Sequence, residues 1–218
     1  MLSTLGIEKH DGDGWTAWGF EFFVLEDPTF TRLLHIAFTA ATQEHVHTFW
    51  ETGTTAGYRS DGEPGPRTEY GSDYYGSFLL DPDGNSAEAV HHHSVRERGP
   101  IDHLWLRVAD VEASTQFYET IAPKAGLFVR RAAADRTQIV GESGSFSVVS
   151  GDEATENVHI AFPATDNATV DEFHRVATQA GYGDNGPPGE RAYHPGYYGA
   201  FVLDPDGNNI EMVNHNRA

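Results

Sequence analysis

Three side chains in three short alternating runs have the types and spacing to hold a metal. In IDHLWLRV, residues 101–108, the apolar Leu104, Leu106 and Val108 alternate with His103, Trp105 and Arg107, which puts the histidine on the face opposite the core. In VHIAFPA, residues 158–164, Val158, Ile160 and Phe162 share one face and His159 lies on the other. In NIEMVNH, residues 209–215, Glu211 stands opposite Ile210 and Met212. If the apolar faces pack on helices, the polar faces turn to the other side of a curved sheet. Two imidazoles and one carboxylate gathered there make the ligand set of a divalent transition metal with open positions. One such histidine alone reads as a surface or satisfied group. Three at matching strand positions favour one metal site, His103, His159 and Glu211.

Around this set, Trp105 and Arg107 share the face of His103 and are candidate substrate-binding walls, the guanidinium offering a planar fork to a carboxylate or phosphate. The loop GPPGERAYHPGYYG, residues 186–199, places Arg191, Tyr193, His194 and Tyr197 just before the strand that carries Phe201. Arg191, Tyr193 and Phe201 are read as substrate-binding, and His194 and Tyr197 as candidate proton carriers. The glycines 181, 183 and 186 satisfy G-x-G-x-x-G but follow a helical run instead of a strand, so they lack the context of a dinucleotide site.

The elements that must position these residues repeat along the chain. YYGSFLLDPDGNSAEAV, residues 74–90, matches YYGAFVLDPDGNNIEMV, residues 197–213, at 12 of 17 positions. LLHIAFTA and NVHIAFPA, residues 33–40 and 157–164, repeat at a similar offset, so His35 and Glu88 correspond to His159 and Glu211. The charged, Gly-Pro-terminated stretch 96–100 reads as a linker between a first module, 1–95, and a second, 101–218. The second has two halves, each a strand, a helix and three strands. Asp110 caps the first helix, with Ser114, Phe117, Tyr118 and Ile121 on its inner face. Thr169 and Glu172 suggest a capping box for the second, with Val170, Phe173 and Ala177 inside and Gly181 as the stop. The first module has its second half intact, but LGIEKHDGD, GWTAWGF and EFFVLED supply only the last three strands of the first half. Its first strand and most of its first helix are absent, so it is expected to borrow a segment or close into a smaller sheet. With only His35 and Glu88, it reads as a degenerate scaffold without a metal. The run His91-His92-His93 reads as a solvated strand end.

Composition narrows the classes of partner. Thirty-three acidic residues against 14 basic ones give a net charge of −19, which repels nucleic acid and anionic lipid surfaces. The absence of cysteine excludes thiolate ligands and disulfides and fits a cytoplasmic location. No basic-then-apolar leader opens the sequence and no run is long enough to span a bilayer, so neither secretion nor membrane insertion is expected.

On IDH at 101–103, VHIAF at 158–162 and the ending YYGAFVLDPDGNNIEMV, the chain resembles a tandem member of the vicinal oxygen chelate superfamily, which includes glyoxalase I, bleomycin resistance proteins and extradiol dioxygenases. The resemblance implies an α+β fold of tandem modules, each of paired βαβββ units forming curved, partly closed mixed sheets with helices outside. It implies one divalent ion, Fe, Mn, Zn, Ni or Mg, on His103, His159 and Glu211. The fourth ligand position of glyoxalase I falls near Ser147, a poor ligand, which argues against that activity. Ring-cleaving relatives carry a tyrosine ten residues before the ligand glutamate; here that residue is Phe201, which has no proton to give. What remains is a divalent-metal-dependent lyase, isomerase or transferase acting on a small oxygen-rich, anionic substrate, with a homodimer as an open alternative to a monomer. The alternative is a metal-free protein that sequesters an antibiotic or metabolite, as the bleomycin resistance proteins do.

Overall fold

The computed structural model describes all residues except 20, 94–98, 142–143 and 217–218. Most of the linker therefore lies outside the described residues. The fold is mixed α+β, as the resemblance implies, and divides into two compact units. One comprises Met1–Trp105 with Ser143–Ser145, the other Leu106–Glu142 with Phe146–Ala218. No helix among the described residues is long and apolar enough to cross a membrane.

In the first unit a short 3-10 helix, Leu2–Leu5, precedes three strands, β1 (Lys9–Gly12), β2 (Trp15–Trp18) and β3 (Phe22–Leu25). They form an antiparallel sheet in the order β1-β2-β3. Next come β4 (His35–Thr39), α1 (Gln43–Thr55), β5 (Arg59–Pro66), β6 (Tyr75–Leu80), β7 (Ser86–His91) and β8 (Ile101–Val108). α1 starts where the Thr42 hydroxyl accepts the His45 amide, and it buries Val46 and Phe49. β4 pairs in parallel with β7. On its other side it pairs antiparallel with the start of β8, which runs across the division between the units. The unit that contains residues 1–95 thus takes up a strand from beyond the linker.

The second unit holds α2 (Val111–Ala125), β9 (Phe128–Ala133), β10 (Arg136–Val140), β11 (Ser145–Ser150), β12 (His159–Pro163), α3 (Asn167–Gln179), β13 (Asp184–Glu190), β14 (Tyr198–Leu203) and β15 (Asn209–Asn214). Asp110 caps α2 through the Glu112 and Ala113 amides, and Ser114, Phe117, Tyr118 and Ile121 are buried as their spacing requires. The cap of α3 departs from the expected box. Asp166, not Thr169, sits before the first turn, and its carboxylate accepts the Thr169 amide at 2.7 Å. An anionic oxygen is the stronger acceptor at a helix start. Glu172 turns away to pair with Arg175 and Lys124.

The repeat extends to the backbone. Leu33 and Asn157, the positions before β4 and β12, both take a left-handed conformation at φ 60° and 57°. Asn85 and Asn208, after the two Asp-Pro-Asp-Gly turns, accept the amides of Leu34 and Val158, each at 3.0 Å. A side-chain amide thereby ties the first turn to the start of β4 and the second to the start of β12.

Candidate metal centre

Strand register in the first unit converges on Ala37. Ala37 lies opposite Glu88 across the parallel β4/β7 pair and opposite His103 across the antiparallel β4/β8 pair. His35, two residues before Ala37, points to the same face. Because Ala37 has only a methyl group, the longer side chains on either side can close over it. His35 Nε2 comes to 3.1 Å from Glu88 Oε2 and 3.3 Å from His103 Nε2, and His103 Nε2 lies 3.6 Å from Glu88 Oε2. Ligand-capable atoms of the three residues all fall within 4.8 Å of one another, the one such grouping of three found among the described residues.

Glu88 is 1% exposed, and an isolated carboxylate buried to that degree is costly. Its second oxygen accepts the Tyr74 hydroxyl at 2.7 Å. A Cβ built on Gly76 would stand 2.6 Å from the same oxygen, so the glycine leaves the room the carboxylate occupies. Burial, reinforced by the negative charge of Glu88, pushes the Tyr74 hydroxyl well above the ordinary phenol range, so it stays protonated and donates. Trp105 packs its ring 5.6 Å from that of His35 and 5.9 Å from that of His103, and Tyr70 meets Trp105 edge-on. Phe78 covers the other side of His35 and carries Arg67 over its face.

This grouping corrects the expectation that His35 and Glu88 lack a third partner. The partner is His103, brought in by the β4/β8 pairing, which no pattern within either strand reveals. His103 therefore stands with His35 and Glu88, while the other two residues assigned to its set, His159 and Glu211, meet each other in the second unit. His159 Nε2 lies 2.8 Å from Glu211 Oε2, and the Tyr197 hydroxyl donates to Glu211 Oε1 at 2.6 Å. The half-sites match atom for atom, but β12 is the edge strand of the sheet β12-β15-β14-β13. Ala161 again lies opposite Glu211, and among the described residues no strand pairs on its outer side to present a third ligand. His159 is accordingly 47% exposed where His35 is 12%.

The other sequence-selected residues divide in the same way. Trp105 borders the three-residue grouping. Arg107, Arg191, Tyr193, His194, Tyr197 and Phe201 belong to the second unit, as does the buried Ser147. Arg191 lies over Phe201 and donates to the Pro187 and Glu190 carbonyls. Tyr193 is largely exposed and packs edge-on against Tyr197. His194 stacks on His215 with their nitrogens 2.9 Å apart. Burial and the bond to Glu211 hold the Tyr197 hydroxyl above its ordinary range, so it holds its proton as Tyr74 does. Tyr74, which the repeat marks as the counterpart of the selected Tyr197, reads from the sequence as a structural similarity, whereas here its hydroxyl bonds Glu88. The histidine run is likewise not simply solvated: His91 bonds the Ala40 carbonyl, His92 meets Asp102 and His93 meets Asp73.

Comparison with known proteins bears on the family and the fold. Residues 100–212 match the family model described as Glyoxalase/Bleomycin resistance protein/Dioxygenase superfamily. No curated protein matches the sequence. Glyoxalase I from Zea mays aligns over 98% of this chain and 86% of its own, with a TM-score of 0.65 and 21% identity. Its V278E mutant gives 0.64 at 22% identity, covering 97% and 85%. These likenesses are of fold. A glyoxalase/bleomycin resistance protein from Albidiferax ferrireducens T118 aligns with 52% of this chain and 96% of its own, at 25% identity and a TM-score of 0.46.

Proposed function

Because the chain belongs to the glyoxalase/bleomycin resistance protein/dioxygenase superfamily, we propose that His35, Glu88 and His103 hold one divalent metal ion beside a small oxygen-rich substrate, for isomerase, lyase or transferase chemistry. The observation that carries this reading is the convergence of two imidazoles on one buried carboxylate. That donor set suits Fe, Zn or Ni better than Mg, which prefers oxygen alone. When bound, the ion would supply Lewis acidity to a substrate oxygen.

The surrounding residues divide the remaining work. Tyr74 occupies one oxygen of Glu88, leaving the other to face the two histidines. Trp105, Tyr70 and Phe78 surround the histidines with aromatic rings, which favours a substrate with a flat or apolar portion. Ten residues before Glu88 stands Phe78, as Phe201 stands before Glu211. Neither ring can pass a proton, so ring cleavage aided by a tyrosine at that place is disfavoured.

The test is a titration of the cobalt-loaded protein with small vicinal diols, hydroxyketones and hydroxy acids, followed by visible absorption. Ligands that perturb the cobalt spectrum and lose affinity on chelation support the reading. Ligands that bind equally well to the chelated protein would instead support the metal-free sequestering function.

A further inference from the structure

Beyond the three ligands, the first unit contains a ring of contacts that returns to where it starts. Asp102, 7% exposed, precedes His103 in the chain, and its Oδ1 lies 2.8 Å from His103 Nδ1. Its other oxygen, Oδ2, lies 3.0 Å from His92 Nε2. The His92 ring stacks on Tyr74 at 5.7 Å and an interplanar angle of 13°. Tyr74 in turn donates to Glu88, and Glu88 faces His103. The β4/β8 register shifts between Ala37 and Phe38 and leaves Asp102 without a partner across the pair, so strict alternation does not hold there and its side chain can reach its neighbour's ring. A second contact from His92 holds it there.

We propose that Asp102 and His92 are positioning residues for this centre. Asp102 accepts the Nδ1 proton of His103, which leaves the Nε2 lone pair bare and aimed at His35 and Glu88. His92 fixes the carboxylate that does so. A carboxylate behind a ligand histidine sets the tautomer and ring orientation and raises the basicity of the ligating nitrogen. His215, which occupies the repeat position of His92, lies against His194 in the second unit. The inference rests on the metal-binding reading of His35, Glu88 and His103.

The experiment uses the full-length chain. In the metal-free wild type, 15N shifts of His103 should report a protonated Nδ1 and an unprotonated Nε2. Zinc affinity, measured by competition with a chromophoric chelator, should fall about 10–100-fold in Asp102→Ala, the scale of removing such a support. Asp102→Asn, which keeps a neutral acceptor, should lose less. His92→Phe, which keeps the stack on Tyr74, should lose several-fold, and His215→Phe nothing. An Nε2-protonated His103 in the wild type, or wild-type zinc affinity in a folded Asp102→Ala, overturns the proposal while leaving the three ligands standing. Absence of zinc binding in the wild type would instead overturn the ligand assignment, and the tautomer of His103 would still decide the role of Asp102. If Asp102→Ala does not fold, Asp102→Asn and the wild-type tautomer provide the decision.

Discussion

His35 Nε2 and His103 Nε2 face each other at 3.3 Å although the residues are 68 apart in the chain. Glu88 Oε2 is within reach of both nitrogens, so all three groups point at one spot. The arrangement depends on β4 and β8 lying side by side, and within that pairing on the small residue between the ligands.

Ala37 is fully buried and lies level with both Glu88 and His103. Ala37→Leu should push them apart, abolishing measurable metal uptake and costing about 1–3 kcal/mol from overpacking. Ala161→Leu, at the exposed repeat position, should change neither by much. Chelator competition and urea unfolding of both variants check this.

Removing the Tyr74 hydroxyl leaves one oxygen of a buried carboxylate without its donor. Tyr74→Phe should lower stability by about 1.5–3 kcal/mol, the range for a hydrogen bond to a charged group. Tyr197→Phe should cost about as much, because Glu211 is as buried as Glu88. The shift of the urea midpoint at constant slope measures both.

Helices α2 and α3, most of the strands and the repeat were legible in the sequence, because they rest on local periodicity and turn chemistry; residues 186–190, read as the start of a loop, instead belong to β13. Asp110, Phe117 and Phe173 do what their spacing indicates. Asp166 was passed over as a cap because Thr169 and Glu172 formed a recognisable motif, and the two differ only in which oxygen reaches the first amides. The residue types of the proposed metal site were legible, but they combine differently. His103 can stand beside the half that precedes it or the one that follows, and its own strand pattern is the same in either case. Only the pairing of Ala37 with His103 decides, and that is a tertiary relationship.

Asn208 is fully buried and bridges two elements, accepting from the Val158 amide and donating to Asp204. Asn208→Ala strands a buried amide and a carboxylate oxygen, and should cost at least about 2 kcal/mol at the usual 1–3 kcal/mol per orphaned group. Circular dichroism during thermal unfolding would register it as a clear fall in Tm. An unchanged Tm would show that water replaces the side chain.

Alkaline pH tests the buried phenols. Tyr74, Tyr118 and Tyr197 are all held above the ordinary value of 10.0, chiefly by burial. The unfolded chain releases these protons near that value while the folded chain retains them. Their contribution is therefore complete below pH 10.0 and is lost progressively as pH rises above it. Tyrosinate absorbance of the folded protein should lack these three groups until the chain unfolds. Their ionisation in the native state near the ordinary value would contradict the burial of Glu88's partner.

Metal stoichiometry in two matched variants tests the central claim most directly. Glu88 and Glu211 are repeat equivalents, each bonded to a tyrosine and a histidine, and they differ in the presence of His103 beside one of them. Elemental analysis and zinc competition should find about one ion per wild-type chain, near-complete loss in Glu88→Ala, and full retention in Glu211→Ala. Metal lost from Glu211→Ala but kept by Glu88→Ala would contradict the assignment of the centre to His35, Glu88 and His103.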